Sequence, residues 1–306
     1  IGKQEVKFVG FCPAEFTGLC PPSVQGSAVT NNSKALYAQA TLDLGVLTSA
    51  LDRLKLTAGI RNTWDKVAGE AYAFGPSANP LDPPGTIRCI LNPAKDVVDP
   101  EADCGFGATL KTNRPTWALG ADYRVSPALL LYAKVSRGYK AGGFNSNAVF
   151  ANTATFAPET VTSYEGGFKS DVVVGGIPTR LNATYYRLNY DNIQRATGDF
   201  NPETNGIGAK VLGASARIEG VELEAAVRPV RGIEIGGTFS YTDAKYREYQ
   251  FTVNAPTPDC SGGVAQPGEM ANLRCLPFQF VAPYIYSVHL LAEQPLGGNL
   301  GTLSLF

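Results

Sequence analysis

Residues 35–44, ALYAQATLDL, and 54–66, LKLTAGIRNTWDK, decide how this chain folds. In the first stretch Leu36, Ala38, Ala40, Leu42 and Leu44 interleave with Tyr37, Gln39, Thr41 and Asp43. In the second, Leu54, Leu56, Ala58, Ile60 and Trp64 alternate with Lys55, Thr57, Gly59, Arg61, Thr63 and Asp65. Successive side chains of a strand point to opposite faces, so each stretch has one apolar face and one that carries charge. Segments of about ten residues with this alternation, joined by connections that are alternately short and very long, are the signature of a transmembrane β-barrel.

Working outward, the pattern predicts about ten strands, near 35–44, 54–66, 113–124, 128–139, 159–171, 178–190, 209–228, 232–244, 281–293 and 300–306. The connections 45–53, 125–127, 172–177, 229–231 and 294–299 are short, whereas 67–112, 140–158, 191–208 and 245–280 are long. Strict alternation places every long connection at one rim of an up-and-down barrel, and residues 1–34 fall at that rim by parity. The long stretches hold Pro80, Pro83, Pro84, Pro93, Pro100, Pro256, Pro258 and Pro267, which central strands exclude. Soluble domains rarely hold two long structureless loops, while extracellular barrel loops are often that long.

A Lys or Arg facing the bilayer midplane costs about 2–4 kcal/mol, so the apolar set must face lipid. In 128–139 that set is Leu129, Leu131, Ala133, Val135 and Tyr139, which leaves Lys134, Ser136 and Gly138 in the lumen. Arg137 has lipid-facing parity but lies near the strand's outer end, where the side chain reaches water. In 232–244, Ile233, Ile235, Phe239 and Tyr241 face out and Glu234, Thr238, Ser240 and Thr242 face in. In 220–228, Val221, Leu223, Ala225 and Val227 oppose Glu222, Glu224 and Arg228. Adjacent Tyr185 and Tyr186, with Arg187 on the parity of Leu181 and Ala183, predict a bulge or an early exit from lipid in 178–190. Trp64, Trp117, Tyr139, Tyr164 and Tyr241 are candidates for an interfacial aromatic girdle, against the plainer alternative of sandwich-core packing.

Composition agrees with an all-β build: the 306 residues include 33 glycines and 14 tyrosines, and no run of about 18 apolar residues suggests a spanning helix. A net charge of -1 with no basic, aromatic-interleaved cluster argues against nucleic-acid binding. The N-terminus, Ile1-Gly2-Lys3-Gln4-Glu5, carries neither an initiating Met nor a secretion signal, so the chain reads as mature or as a fragment. The six cysteines fall as local pairs, Cys12 with Cys20, Cys89 with Cys104 and Cys260 with Cys275, each within one proposed loop. Local disulfides in an oxidising compartment fit better than zinc, which would want CxxC spacing. Closing a 15-residue loop contributes about 3 kcal/mol in the chain-entropy picture, enough to order a loop without a core of its own.

Several stretches resemble one family, the β-barrel of TonB-dependent outer-membrane receptors. The strongest are YAKVSRGYKAGGFN (Tyr132 to Asn145) and FAPETVTSYEGGFKSD (Phe156 to Asp171). LNATYYRLNYDNIQ (Leu181 to Gln194), IEGVELEAAVRP (Ile218 to Pro229), GTFSYTDAKY (Gly237 to Tyr246) and LKLTAGIRNTWDK follow the family order over most of 35–250. The resemblance implies an antiparallel transmembrane barrel of about 22 strands around an N-terminal plug. On this expectation all 306 residues are part of the barrel domain, with the plug and TonB-binding segment outside the stretch. The final Phe306 resembles a barrel terminus, but a truncation point is the favoured reading.

The resemblance also implies a function: no enzyme, cofactor or metal, but energised uptake of a scarce solute across the bacterial outer membrane. The commonest ligand class is a ferric siderophore, the energy partner is the TonB complex, and outer-membrane lipid surrounds the wall. His289 shares lumenal parity with Ser287 and Glu293 and reads as a satisfied polar residue rather than a catalytic one. Gly206-Ile-Gly208 lacks the third glycine of a dinucleotide loop. Candidate ligand contacts are Tyr139, Lys140, Phe144 and Asn145, weighed against a role in shaping the loop. Tyr72, Phe74, Arg88, Lys95, Lys111, Tyr246, Arg247 and Tyr249 occupy comparable rim positions. A passive porin, or a secreted β-sandwich or adhesin, are the competing readings.

Overall fold

The computed structural model describes residues 2–10, 23–77, 79–92, 97–201, 206–253, 256–297 and 301–305. Its strands are β1 (Gly2–Gly10), β2 (Ser23–Asp43), β3 (Leu54–Pro76), β4 (Ile87–Cys89), β5 (Gly105–Ser126), β6 (Leu129–Lys140), β7 (Gly143–Phe144), β8 (Thr155–Phe156) and β9 (Glu159–Val174). They continue as β10 (Ile177–Asn201), β11 (Gly206–Val230), β12 (Ile233–Glu248), β13 (Gln250–Thr252), β14 (Thr257–Pro258), β15 (Val264–Ala265), β16 (Met270–Asn272), β17 (Tyr284–Pro295) and β18 (Thr302–Leu305). A single helical turn, α1, covers Pro100–Asp103. One 12-stranded sheet runs β1-β2-β3-β5-β6-β9-β10-β11-β12-β17-β18, with β4 paired to β3, and each pairing is antiparallel.

The register keeps like with like. One row of opposed residues runs Leu42, Leu56, Ala121, Ala133, Gly166, Tyr185, Val221, Tyr241, Tyr284 from β2 to β17. The neighbouring row runs Asp43, Lys55, Asp122, Tyr132, Gly167, Thr184, Glu222, Ser240. A slip of one residue at any pairing would exchange the two faces. The apolar face is bare: Leu36 is 73 % and Val288 81 % exposed.

On the apolar face an aromatic belt marks one boundary. Trp64, Trp117, Tyr164, Tyr185, Tyr241 and Tyr284 share that face on β3, β5, β9, β10, β12 and β17. The next same-face residue toward the long connections is Lys66, Pro115, Thr162, Arg187 or Asp243 on the first five of these strands. Tyr185 and Tyr284 were not among the expected girdle residues. Tyr139, which was, turns the other way: its hydroxyl donates to Asp65 on the polar face. The β5–β6 ladder ends at Trp117–Arg137, two residues short of Pro115, so Tyr139 is free of β5 while it stays paired with Thr160 on β9.

On the polar face two tyrosines brace strands that are not neighbours. The Tyr132 hydroxyl bonds Thr184 Oγ1 at 2.8 Å, crossing β9 over Gly167, where an added Cβ would lie 3.1 Å from the ring and 2.2 Å from the Ala183 carbonyl. Tyr186 likewise crosses β11 over Gly220 to Thr242 Oγ1 at 2.8 Å.

Several expectations need correcting. The strands run well past the predicted ends at the long-connection rim, because alternation there continues with polar residues on both faces. Residues 191–208 are mostly strand rather than loop, and β1 with the start of β2 occupies much of 1–34. Of the two alternatives expected for 178–190 the bulge is not there: alternation holds through Tyr185–Tyr190, with Tyr185 outward in the aromatic belt and Arg187 the next outward residue beyond it, and a bulge comes later, between Tyr190 and Ile193, with Asn192 at φ 56. Gly175 and Gly176, both at positive φ, close the tight β9–β10 turn that only such residues allow. Phe306 lies outside the described residues.

Two outcomes are expected. Gly167→Val destabilises the full-length protein by about 1–3 kcal/mol, read from its denaturant midpoint, because the new methyls must displace Tyr132 and the β10 backbone. Expressed alone in detergent-free buffer, the 306-residue chain aggregates, since its bare apolar face and its sheet edges at β1 and β18 are open to pairing; a monodisperse monomer by light scattering would contradict this.

Candidate functional site

At the long-connection rim the chain folds back over the polar face and builds a second layer. The register shift at Asn192 sets it up. Beyond the bulge the inward parity passes to Ile193, Arg195, Asp199 and Asn201, opposite Ala214, Leu212, Gly208 and Gly206. Thus a β-bulge re-aims a run of polar side chains into the rim.

The segment between β6 and β9 docks there. Asn192 Nδ2 donates to the Pro158 carbonyl at 2.8 Å, and Gln194 Nε2 donates to Ala141 and Ala157 carbonyls at 3.0 and 3.1 Å, so one side chain ties both ends of the segment. Asn145 Nδ2 donates to the Thr153 and Ala209 carbonyls at 3.1 and 2.6 Å. Gly208 admits this approach, since a Cβ there would sit 2.2 Å from the Asn147 carbonyl. The Phe144 ring occupies the space above Gly69 and stacks on Phe106 at 6.0 Å between centroids. Val149, 1 % exposed, packs with Ala73 and Ile90.

Asn201 joins three segments. Its Nδ2, buried, donates to the Ile90 carbonyl at 3.2 Å and the Val149 carbonyl at 3.1 Å. The connection that carries Ile90 is closed by the Cys89–Cys104 disulfide and by Arg88, which pairs with Asp82 at 3.0 Å. The Arg88 guanidinium and the Ser77 hydroxyl hold the Asp82 carboxyl below the usual carboxylate range.

The β12–β17 connection forms a small core of its own on the same face. Tyr249, Val253, Ala265, Ala271 and Leu273 cluster with Ile193, Ala216 and Tyr246 of the wall. The Cys260–Cys275 disulfide closes this segment, while Lys210 reaches Asp199 at 3.2 Å, and its ammonium sits 4.7 Å from the Phe251 ring centroid. With Lys210 and Asp199 only 7 % and 1 % exposed, the pair is removed from water, and loss of either partner strands a buried charge. Arg195 lies over Phe278 at 4.2 Å.

The expected site residues therefore separate. Tyr139, Phe144 and Asn145 are engaged in holding the rim together, and Lys140 alone of the four is exposed. Tyr246 and Tyr249 belong to the buried cluster, Arg88 pairs with Asp82, and Tyr72, Phe74, Lys111 and Arg247 lie on the other face. Lys95, Cys12 and Cys20 lie outside the described residues. Ser287 bonds Thr238 at 2.7 Å and His289 approaches Glu234 at 3.6 Å, so no Ser–His pair forms. Among the described residues no group of His, Cys, Asp and Glu converges as metal ligands. Asn192, Gln194, Asp199, Asn201 and Lys210 were missed; the alternation of Ile193, Arg195, Thr197 and Asp199 was the available signal, hidden by the one-residue shift at the bulge.

Two predictions concern this layer. Asn201→Ala leaves the Ile90 and Val149 carbonyls short of a donor and raises amide exchange in 77–104 and 145–156, with the sheet below unchanged, at a cost of about 1–3 kcal/mol. Because the Asp82 carboxyl is depressed in the folded state, its pairing with Arg88 stabilises the 77–104 connection above the ordinary carboxylate range and is lost as pH falls through the depressed value. Amide exchange at Arg88 therefore rises in acid, and Asp82→Asn shows that high exchange at neutral pH.

The fold has clear relatives. The ferric yersiniabactin uptake receptor FyuA from Yersinia pestis aligns at a TM-score of 0.56 and 18 % identity, over 92 % of this chain and 34 % of that receptor. The ferric-catecholate import receptor Fiu of K12 E. coli aligns at 0.46 and 16 % identity, over 90 % of this chain and 33 % of the other. This chain thus spans about a third of the length of either receptor. The family described as TonB dependent receptor-like, beta-barrel, matches residues 9–295. With its paired strands, its two opposed faces and its rim layer, the chain belongs to the β-barrel family of TonB-dependent receptors.

Proposed function

We propose that this chain is part of the wall and outer mouth of a bacterial outer-membrane receptor that captures a ferric siderophore and takes it up with energy from the TonB complex. The observation that carries the reading is the rim layer. Three connections are locked over the polar face by buried and half-buried side chains and two disulfides, which forms a preorganised surface where the apolar belt ends. A surface of this kind suits capture of a scarce solute, whereas a passive porin needs an open channel. FyuA, a receptor of similar fold, takes up ferric yersiniabactin, and that supports the ligand class.

In this reading the apolar face meets lipid, the aromatic belt sits at the outer interface, and the plug on which TonB acts is encoded outside these residues. Lys140 is the residue placed to touch an anionic ferric chelate, and Tyr139, Phe144 and Asn145 position the surface around it. The family is one of transport receptors, so no catalytic step is assigned.

The test is radio-labelled iron uptake by cells that lack their own siderophore receptors and express the full-length protein. Uptake of at least one ferric siderophore that collapses on dissipation of the proton-motive force supports the reading. Lys140→Gln then weakens uptake several-fold through affinity rather than maximal rate. Uptake of a solute that persists without the proton-motive force would replace this reading with a porin.

A further inference from the structure

The Cys89–Cys104 and Cys260–Cys275 disulfides each join residues 15 apart, so loop closure contributes alike to both and does not distinguish them. Their surroundings do. Cys89 and Cys104 are 0 % and 2 % exposed, whereas Cys275 is exposed and Cys260 half-buried. The chain beside the second bond is open to solvent as well: Ser261, Gly262, Arg274 and Leu276 are all exposed. The two sulfurs of that bond are not equivalent. The Cys275 N–H donates to Cys260 Sγ at 3.0 Å, which puts a main-chain donor on one sulfur of the pair. Asp259, the acid beside Cys260, turns its carboxylate to the main-chain N–H groups of Ser261 and Asn272 at 2.6 and 2.7 Å. Arg274 places a cation next to Cys275.

We propose that Cys275 Sγ is a modification site for soluble thiols, and that thiol–disulfide exchange there opens the Cys260–Cys275 bond while Cys89–Cys104 stays closed. Exchange requires a thiolate to approach one sulfur and the other sulfur to depart with the electrons, so access selects the bond and the stability of the departing thiolate selects the sulfur attacked. The incoming sulfur bonds to Cys275 Sγ and the Sγ–Sγ bond breaks. Its electron pair leaves on Cys260 Sγ, where the Cys275 N–H stabilises the charge until a proton arrives from water. A second thiolate displaces Cys275 in the same way and yields two cysteines and the disulfide of the thiol. The Arg274 guanidinium favours a thiol that carries carboxylates. The main chain on either side is held independently of the bond, because the Leu273 N–H donates to the Tyr249 carbonyl at 2.7 Å and the Cys260 N–H to the Asn272 carbonyl at 2.8 Å. Opening therefore frees residues 259–264 and 274–277 and leaves the buried cluster beneath them in place. A reducing environment thus loosens the mouth on the β12–β17 side alone, whatever solute the mouth takes.

The experiment treats the folded full-length protein in detergent micelles with millimolar reduced glutathione, quenches with iodoacetamide and reads each cysteine peptide by mass spectrometry. The glutathione adduct should appear on Cys275 and the alkyl group on Cys260, about tenfold or more faster than any change at Cys89 or Cys104. Amide exchange should then rise in 259–264 and 274–277 and stay unchanged in 77–104. Arg274→Gln should slow the reaction with glutathione several-fold and leave the reaction with uncharged mercaptoethanol as it was. Equal rates at the two bonds, an adduct on Cys260 in place of Cys275, or no reaction at either bond in the folded protein overturns the proposal. Equal slowing of both thiols by Arg274→Gln overturns the part assigned to that cation.

Discussion

Each backbone N–H and C=O of the wall needs a partner, and on the apolar face no solvent group would be at hand to supply one in a bilayer. Inter-strand ladders meet that demand, and they make register the quantity on which everything else depends. A strand cannot slide to improve one side-chain contact without inverting its two faces. The structure shows how this is kept: from Leu42 on β2 to Tyr284 on β17 a single row of opposed residues stays apolar, aromatic or glycine, while the next row carries polar residues, Tyr132 and Gly167 as far as Ser240 on β12 and ends at Ile285 on β17.

Departures from the ladder are few and each has a local effect. Where β6 leaves β5 at Trp117–Arg137, Tyr139 swings inward to Asp65. Where β10 gains a residue at Asn192, its remaining length presents Arg195, Asp199 and Asn201 to the polar side. The rim is thus built from interruptions of the same hydrogen-bond pattern that builds the wall. Glycines give the polar face a further freedom, because Tyr132 and Tyr186 cross Gly167 and Gly220 to bond beyond the adjacent strand.

The wall was legible in the sequence because period-two alternation is a property of one strand at a time. Stretches such as 54–66 and 232–244 state their faces without reference to anything distant. The rim was not, for two reasons. Above the belt both faces are polar or covered, so hydrophobic contrast vanishes and the upper parts of β3, β5, β10 and β11 read as loop. The buried hub also depends on partners far apart in the chain: Asn201 meets Ile90 and Val149, and Lys210 meets Phe251. No spacing rule links such residues. The Cys89–Cys104 and Cys260–Cys275 pairs were the exception, since loop closure is itself local.

Asn145, Asn192, Gln194 and Asn201 share one habit: each holds its segment by main-chain carbonyls, those of Thr153 and Ala209, Pro158, Ala141 and Ala157, and Ile90 and Val149. A carbonyl is present whatever side chain a residue bears. The rim can therefore be rewritten at most of its surface positions while its attachment points stay the same, much as a type case accepts new letters. The architecture of the rim is encoded in main-chain atoms, so the side chains on its surface are left free to vary without refolding the loops that carry them.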